Sequence, residues 1–158
     1  MQGLAPTSRD HHESQPDRIG GGDTLGRQGK PYGAQPRGRP VIDMVLRRFE
    51  DPDEVIHFEK GRFEQVTLGG MTLGRATYEP GWKWSRDVGP SVGEELCGVE
   101  HVGMVVSGRA TVAFPDGRVI EMKAGDLFYV PPESHDSWVV GDVPYVSLHF
   151  AGASKYAK

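Results

Sequence analysis

A single cysteine, Cys97, stands in the whole chain, so no intrachain disulfide can form and a disulfide scaffold is excluded. Long apolar runs are missing as well. The longest stretch free of both Gly and Pro runs from Val41 to Asp51, 11 residues, and nothing approaches the roughly 18 apolar residues that a membrane-crossing helix requires. The N-terminal region also lacks the apolar core of about 7 to 15 residues that marks a secretory leader. With one thiol and no leader, the expected location is cytoplasmic. An excess of positive charge is the next absence. Lys and Arg number 18 against 22 Asp and Glu, a net charge of -4, which argues against a nucleic-acid partner for the protein as a whole.

What is abundant is turn chemistry. The 158 residues include 22 Gly and 12 Pro, too many for a helix bundle, and the length suits one domain at about 100 to 200 residues per domain. Composition changes near Pro40. Residues 1–40 hold eight Gly and five Pro with few apolar side chains, too little burial to offset the entropy of ordering them. They are expected to form a disordered Gly/Pro-rich arm, net positive by two charges, with the domain at 41–158 net negative by six. Met44 opens the ordered pattern and is an alternative start of the chain.

From residue 41 onward the chain reads as short strands separated by turns. Nine candidates run Glu54 to Phe58, Phe63 to Leu68, Met71 to Tyr78, His101 to Val106, Ala110 to Phe114, Val119 to Lys123, Leu127 to Val130, Ser137 to Val140 and Tyr145 to Phe150. Between them lie Gly69-Gly70, Ser107-Gly108, Pro115-Asp116-Gly117, Ala124-Gly125-Asp126, Pro131-Pro132 and Gly141-Asp142, which supply positive φ and tight turns. No helix is expected between the strands. Parallel crossovers are then unavailable, so the fold class is all-β: a small antiparallel β-barrel or double-sheet jelly roll.

Two segments carry the chemistry. The first reads Gly89, five residues, Glu95, one residue, Cys97, three residues, His101, six residues, Gly108. The second reads Gly125, five residues, Pro131, then Pro132, Glu133, Ser134 and His135. At these spacings they resemble the two motifs of the cupin superfamily, Gly-x5-His-x-His-x3-4-Glu-x6-Gly and Gly-x5-Pro-x-Gly-x2-His. The ligand types depart from that pattern. Glu95, Cys97 and His101 replace the usual His, His and Glu, Glu133 replaces a Gly, His135 arrives one residue early, and the trailing Asn is missing from a chain with no Asn at all. Tyr78, Pro80 to Ser85 and His135 to Asp142 are further similar to small single-domain bacterial cupins of the cupin 2 conserved-barrel type.

The resemblance implies a cupin barrel that binds a small organic molecule, next to a divalent metal held by Cys97, His101 and His135 with Glu95 as a fourth ligand. It implies a homodimer too, and, if the protein is an enzyme, metal-dependent oxygenation, isomerisation or hydration. A thiolate ligand favours zinc, whereas the common three-His, one-Glu set suits iron or manganese. On one continuous strand Cys97 and His101 would stand about 13 Å apart, too far to share an ion whose bonds are about 2.0 to 2.3 Å. A reversal is required, and a turn through Gly98-Val99-Glu100 would supply it, making Cys97 end one strand and His101 open its antiparallel partner. The plainer alternative stays open: Cys97 as a small buried hydrophobe and the histidines as ordinary hydrogen-bonding residues.

Trp82 and Trp84 alternate with Lys83 and are expected on one face of a strand, either as core or, with Trp138, as the wall of a ligand pocket. On the last strand Tyr145, Ser147 and His149 share one face and Val146, Leu148 and Phe150 the other. The polar face is read as solvated. Only if it points inward does His149 join the substrate-binding set. A metal-free small-molecule binding or sensing module is the alternative function, and a scaffold for the N-terminal arm is a third. Nucleotide cofactors have no motif here, with no Gly-x-Gly-x-x-Gly after a strand and no Walker sequence. Cys97 acting as a nucleophile with His101 as its base ranks below ligation.

Overall fold

The structure is a computed structural model that describes residues 43–158. The arm expected over residues 1–40 lies outside the described residues. Nine strands are present among the described residues: β1 Glu54–Phe58, β2 Gly61–Leu68, β3 Met71–Tyr78, β4 His101–Ser107, β5 Arg109–Ala113, β6 Val119–Lys123, β7 Leu127–Val130, β8 Asp136–Val139 and β9 Tyr145–Ala151. Every ladder is antiparallel. One sheet has the order β1-β2-β3-β9-β4-β7 and the other β6-β5-β8. The two sheets enclose a common core that includes Phe63, Trp82, Trp84, Val88 and Val105.

The expectation that no helix interrupts the strands is corrected between β3 and β4. After a single bridge between Lys83 and Trp138 the chain leaves the sheet in two one-turn helices, α1 Trp84–Asp87 and α2 Gly89–Val92. Local chemistry explains the departure. The Asp87 carboxylate accepts a hydrogen bond from the Lys83 N–H at 2.7 Å, closing the first turn, and Asp136 ties that turn to β8 by accepting from Ser85 N–H and Oγ–H at 3.0 and 2.9 Å. Pro90 lies in the first turn of α2, where its missing N–H costs nothing, and Gly93 ends that helix at φ 75°. Met44 is exposed, and among the described residues the first strand begins at Glu54.

Two features set the geometry of the wall that carries the site. On β4 His101, Gly103 and Val105 are buried, and the register against β9 shifts between Val102 and Gly103 and again between Val105 and Ser107. A β-carbon at Gly103 would overlap the Leu148 carbonyl and the Phe128 ring, so the irregular pairing depends on a residue without a side chain. On β2 the Glu64 side chain is 8% exposed and is gripped by Arg75 at 2.6 Å and Arg62 at 3.1 Å. Arg75 also holds Glu50 at 2.9 Å, and its guanidinium lies 5.2 Å from the Phe49 ring, which fastens the segment before β1 to this sheet. Among the described residues no helix is long and apolar enough to cross a membrane.

Candidate metal and ligand site

Three chain segments deliver one donor each to the barrel interior. Cys97 and His135 face one another through a reciprocal pair of main-chain hydrogen bonds, each 2.9 Å. His101 enters from the first position of β4. All three are buried, and one ligand atom from each lies within 4.8 Å of the other two. The Cys97 Sγ to His101 Nε2 distance is 3.4 Å. Two ligands of a tetrahedral zinc ion, with bonds of about 2.3 Å to sulfur and 2.0 Å to nitrogen, sit about 3.6 Å apart.

The route to this convergence differs from the expected hairpin. Cys97 does not pair with the strand that His101 opens; its partner is His135, while β4 pairs with β7 and β9. Gly98 is absent from the residues with positive φ and a β-carbon there meets nothing within 4 Å. The bend between Cys97 and His101 therefore does not depend on glycine. Pro131 and Pro132 aim His135 instead, through a turn in which the Glu133 N–H donates to the Pro131 carbonyl at 2.7 Å.

Hydrogen bonding assigns the protons. His135 Nδ1–H donates to its neighbour's carbonyl, Glu133 O, at 2.7 Å, which leaves Nε2 with a free lone pair. Burial drives the His101 imidazole down to about 3, helped by the nearby His149 and His135 rings, and lowers His135 as well. Neutral imidazole is the ligating form. Burial pushes the Cys97 thiol up to about 11, against a modest opposing pull from the Val99 backbone. A bound cation is what would ionise it.

Glu95 is exposed and stands outside the group. The strand on which it was expected to share a face with Cys97 does not form; only an isolated bridge at Cys97 remains. His149 is corrected in the opposite sense. Tyr145, Ser147 and His149 are all buried, because it is the polar face of β9 that turns inward while Phe150 is exposed. The His149 ring lies 5.5 Å from that of His101, and Ser147 Oγ is 3.1 Å from His149 Nε2. Burial alone lowers the His149 imidazole to about 4.

A cavity of about 50 Å³ adjoins these groups, and Trp82, Trp84 and His149 line it together with Cys97, His101 and His135. Trp82 and Trp84 are core residues that also line this cavity, from a bridge-to-helix corner rather than a strand face. Trp138 does not line it; its ring is 5.8 Å from Lys83 Nζ on the side of β8 away from the cavity lining. Tyr156 was not foreseen. It lies beyond the 3-10 turn Ala153–Lys155, is buried, and its hydroxyl meets that of Tyr78 at 2.6 Å, closing the cavity. No periodic signal marks it, because it follows the last strand. Four buried polar atoms on the lining residues have no hydrogen-bond partner among the described residues: His101 Nδ1, His149 Nδ1, Trp82 Nε1 and Trp84 Nε1.

Comparison with known proteins gives the following. Residues 83–146 match the family model described as the EutQ-like cupin domain. A structure of unknown function from Rhizobium leguminosarum bv. viciae 3841 aligns at TM-score 0.50 and 19% identity, over 68% of this chain and 95% of that one. The polyketide cyclase RemF from Streptomyces resistomycificus aligns at TM-score 0.50 and 15% identity, over 68% and 78%. A cupin 2 conserved barrel domain protein from Salinispora arenicola CNS-205 aligns at TM-score 0.48 and 15% identity, over 73% and 96%. No curated protein matches the chain. At such identities the two alignments at TM-score 0.50 speak for the fold alone.

Proposed function

The barrel of this chain is a cupin barrel, and from that premise we propose that it binds a small organic molecule beside a divalent metal ion held by Cys97, His101 and His135. The observation that carries the reading is the convergence of one sulfur and two imidazoles within 4.8 Å inside the barrel. The residues fit such an ion on three counts: the Cys97 to His101 spacing, the His135 tautomer set by Glu133 O, and the neutral state of both imidazoles. One sulfur with two nitrogens suits zinc or another thiolate-tolerant divalent ion.

Held by Cys97, His101 and His135, such an ion would supply Lewis acidity toward a substrate oxygen or a water molecule. The chain's own residues provide the rest of the environment. Trp82 and Trp84 exclude water, and their indole N–H groups are free to donate to a ligand. His149, beside Ser147 and 5.5 Å from the His101 ring, is placed to hydrogen-bond a ligand that reaches the metal. If turnover occurs, oxygenation, isomerisation or hydration of that ligand are the reaction classes to assay.

A metal-free binding module is the second reading. What favours it is that the Cys97 thiol already has His101 Nε2 as a hydrogen-bond partner at 3.4 Å and burial keeps it protonated, so the thiol is satisfied without a cation. Elemental analysis of untagged protein separates the two. Near-equimolar zinc or iron that falls at least tenfold in Cys97→Ala and His135→Ala supports the metal site. Sub-stoichiometric metal that is unchanged by either substitution leaves only the metal-free module.

A further inference from the structure

A second cavity, of about 300 Å³, opens between β6 and β7. The two strands are the edges of different sheets, so no ladder of hydrogen bonds closes the wall there. Phe114, Ile120, Met122, Leu127, Phe128 and Tyr129 line it. Four wall residues, Val112, Met122, Phe128 and Val130, also line the small cavity beside Cys97, His101 and His135. The two cavities are therefore neighbours that share one partition. At about 300 Å³ the outer one has the volume of a small-molecule pocket, whereas the inner one, at about 50 Å³, holds only a few atoms.

The charge pattern narrows the occupant. Among the described residues, none that lines either cavity is a Lys or Arg. The charged groups of the outer cavity are both acidic, Glu121 and Asp126. Glu121 is paired with Arg109 at 3.1 Å on the exposed surface, and Asp126 accepts from the Lys123 N–H at 2.9 Å. An anionic ligand would meet Glu121 and Asp126 in the outer lining and find no Lys or Arg, leaving the metal ion, half neutralised by the Cys97 thiolate, as its only counter-charge. An uncharged polar end, by contrast, finds the unpartnered N–H and ring nitrogen atoms of Trp82, Trp84 and His149.

We propose that the ligand of this barrel is an uncharged amphiphile that joins the two cavities by displacing the flexible Met122 side chain from their shared partition: a small oxygen-bearing head in the inner cavity beside Cys97, His101 and His135, and an apolar body in the slot between β6 and β7. This rests on the small-molecule reading above and adds its substrate class. Burial of each further methylene in the slot strengthens binding about fourfold until the slot is full.

The test is a homologous series of 2-alkanones from four to ten carbons, titrated into the full-length protein with tryptophan fluorescence and calorimetry as readouts. Two slot variants, Ile120→Glu and Leu127→Glu, change residues that are 50% and 75% exposed, so the fold tolerates them, and circular dichroism checks that it does. Expected are affinity that climbs about fourfold per carbon in the wild type, a flattened dependence in both variants with unchanged metal content, and weaker binding of the carboxylate of matching length. Affinity independent of chain length, an equal length dependence in the variants, or preference for the carboxylate would overturn the proposal. Repeating the series with Cys97→Ala separates the two readings. Retained length dependence with unaltered affinity for the head removes the metal from ligand binding and leaves the slot standing.

Discussion

Cys97 and His135 are joined by two main-chain hydrogen bonds of 2.9 Å, one in each direction. Their side chains are therefore neighbours by backbone pairing and not by chance contact. Such a bridge fixes the Cα positions of two of the three donors before any ion is present, and His101 meets the sulfur at 3.4 Å from the start of β4. The site is built largely into the main chain, which makes it tolerant of changes outside its donors.

The cavity floor depends on a pair of hydroxyls. Tyr78 and Tyr156 are both buried and share one hydrogen bond at 2.6 Å. Tyr156→Phe leaves the Tyr78 hydroxyl buried without that partner and should cost about 1 to 2 kcal/mol. A urea titration checks it, and a cost below about 0.3 kcal/mol would mean that a water replaces the lost group.

The ion pairs on β2 and β3 give the acid response. Burial alone would raise the Glu64 carboxyl, but hydrogen bonds from Arg75 and Arg62 outweigh it and hold Glu64 below its ordinary 4.5. A depressed carboxylate contributes stability that is fully present above its unfolded pKa and is lost as pH falls through the folded value. Glu64→Gln should therefore destabilise by about 2 to 3 kcal/mol at pH 7, somewhat under the figure for a fully buried pair because Arg75 is partly exposed. The gap to wild type should narrow below pH 4.5. Urea midpoints at pH 7, 5 and 3.5 measure this; a gap independent of pH would contradict it.

Glycine is required at one site position and not at another. Gly103→Ala drives a methyl into the Leu148 carbonyl and the Phe128 ring, and should cost about 1 to 3 kcal/mol. Gly98→Ala, at a position with open space and no positive φ, should cost under about 1 kcal/mol, the β-turn expectation notwithstanding. Thermal melts of the two variants give the comparison, and equal losses would refute it.

Most of the fold was legible because its signals are local. β1, β3, β6 and β7 coincide with runs readable from turn residues and alternation, and the other five strands differ at their ends by one or two residues. That Cys97, His101 and His135 come together was legible from the spacing of the two motifs. What spacing cannot give is which strand pairs with which. Cys97 pairs with His135, 38 positions along the sequence, so the hairpin expected at Gly98 was the nearest reversal and not the actual one. Alternation also fails to say which face points in. On β9 the face bearing Ser147 and His149 is the buried one, because the barrel interior is a polar site, and an apolar-inside rule reads it backwards. Tyr156 escaped because it packs from a tail that has no period.

Cys97, His101 and His135 are proposed to share one divalent ion. Cobalt substitution tests it most directly, since a cobalt-bound thiolate gives an intense near-ultraviolet charge-transfer band that imidazole or carboxylate ligands do not. Expected are one equivalent of cobalt with that band in the wild type, its loss in Cys97→Ala, sharply weakened binding in His135→Ala, and no change in Glu95→Ala. A spectrum without the thiolate band, or one that survives Cys97→Ala, would contradict it.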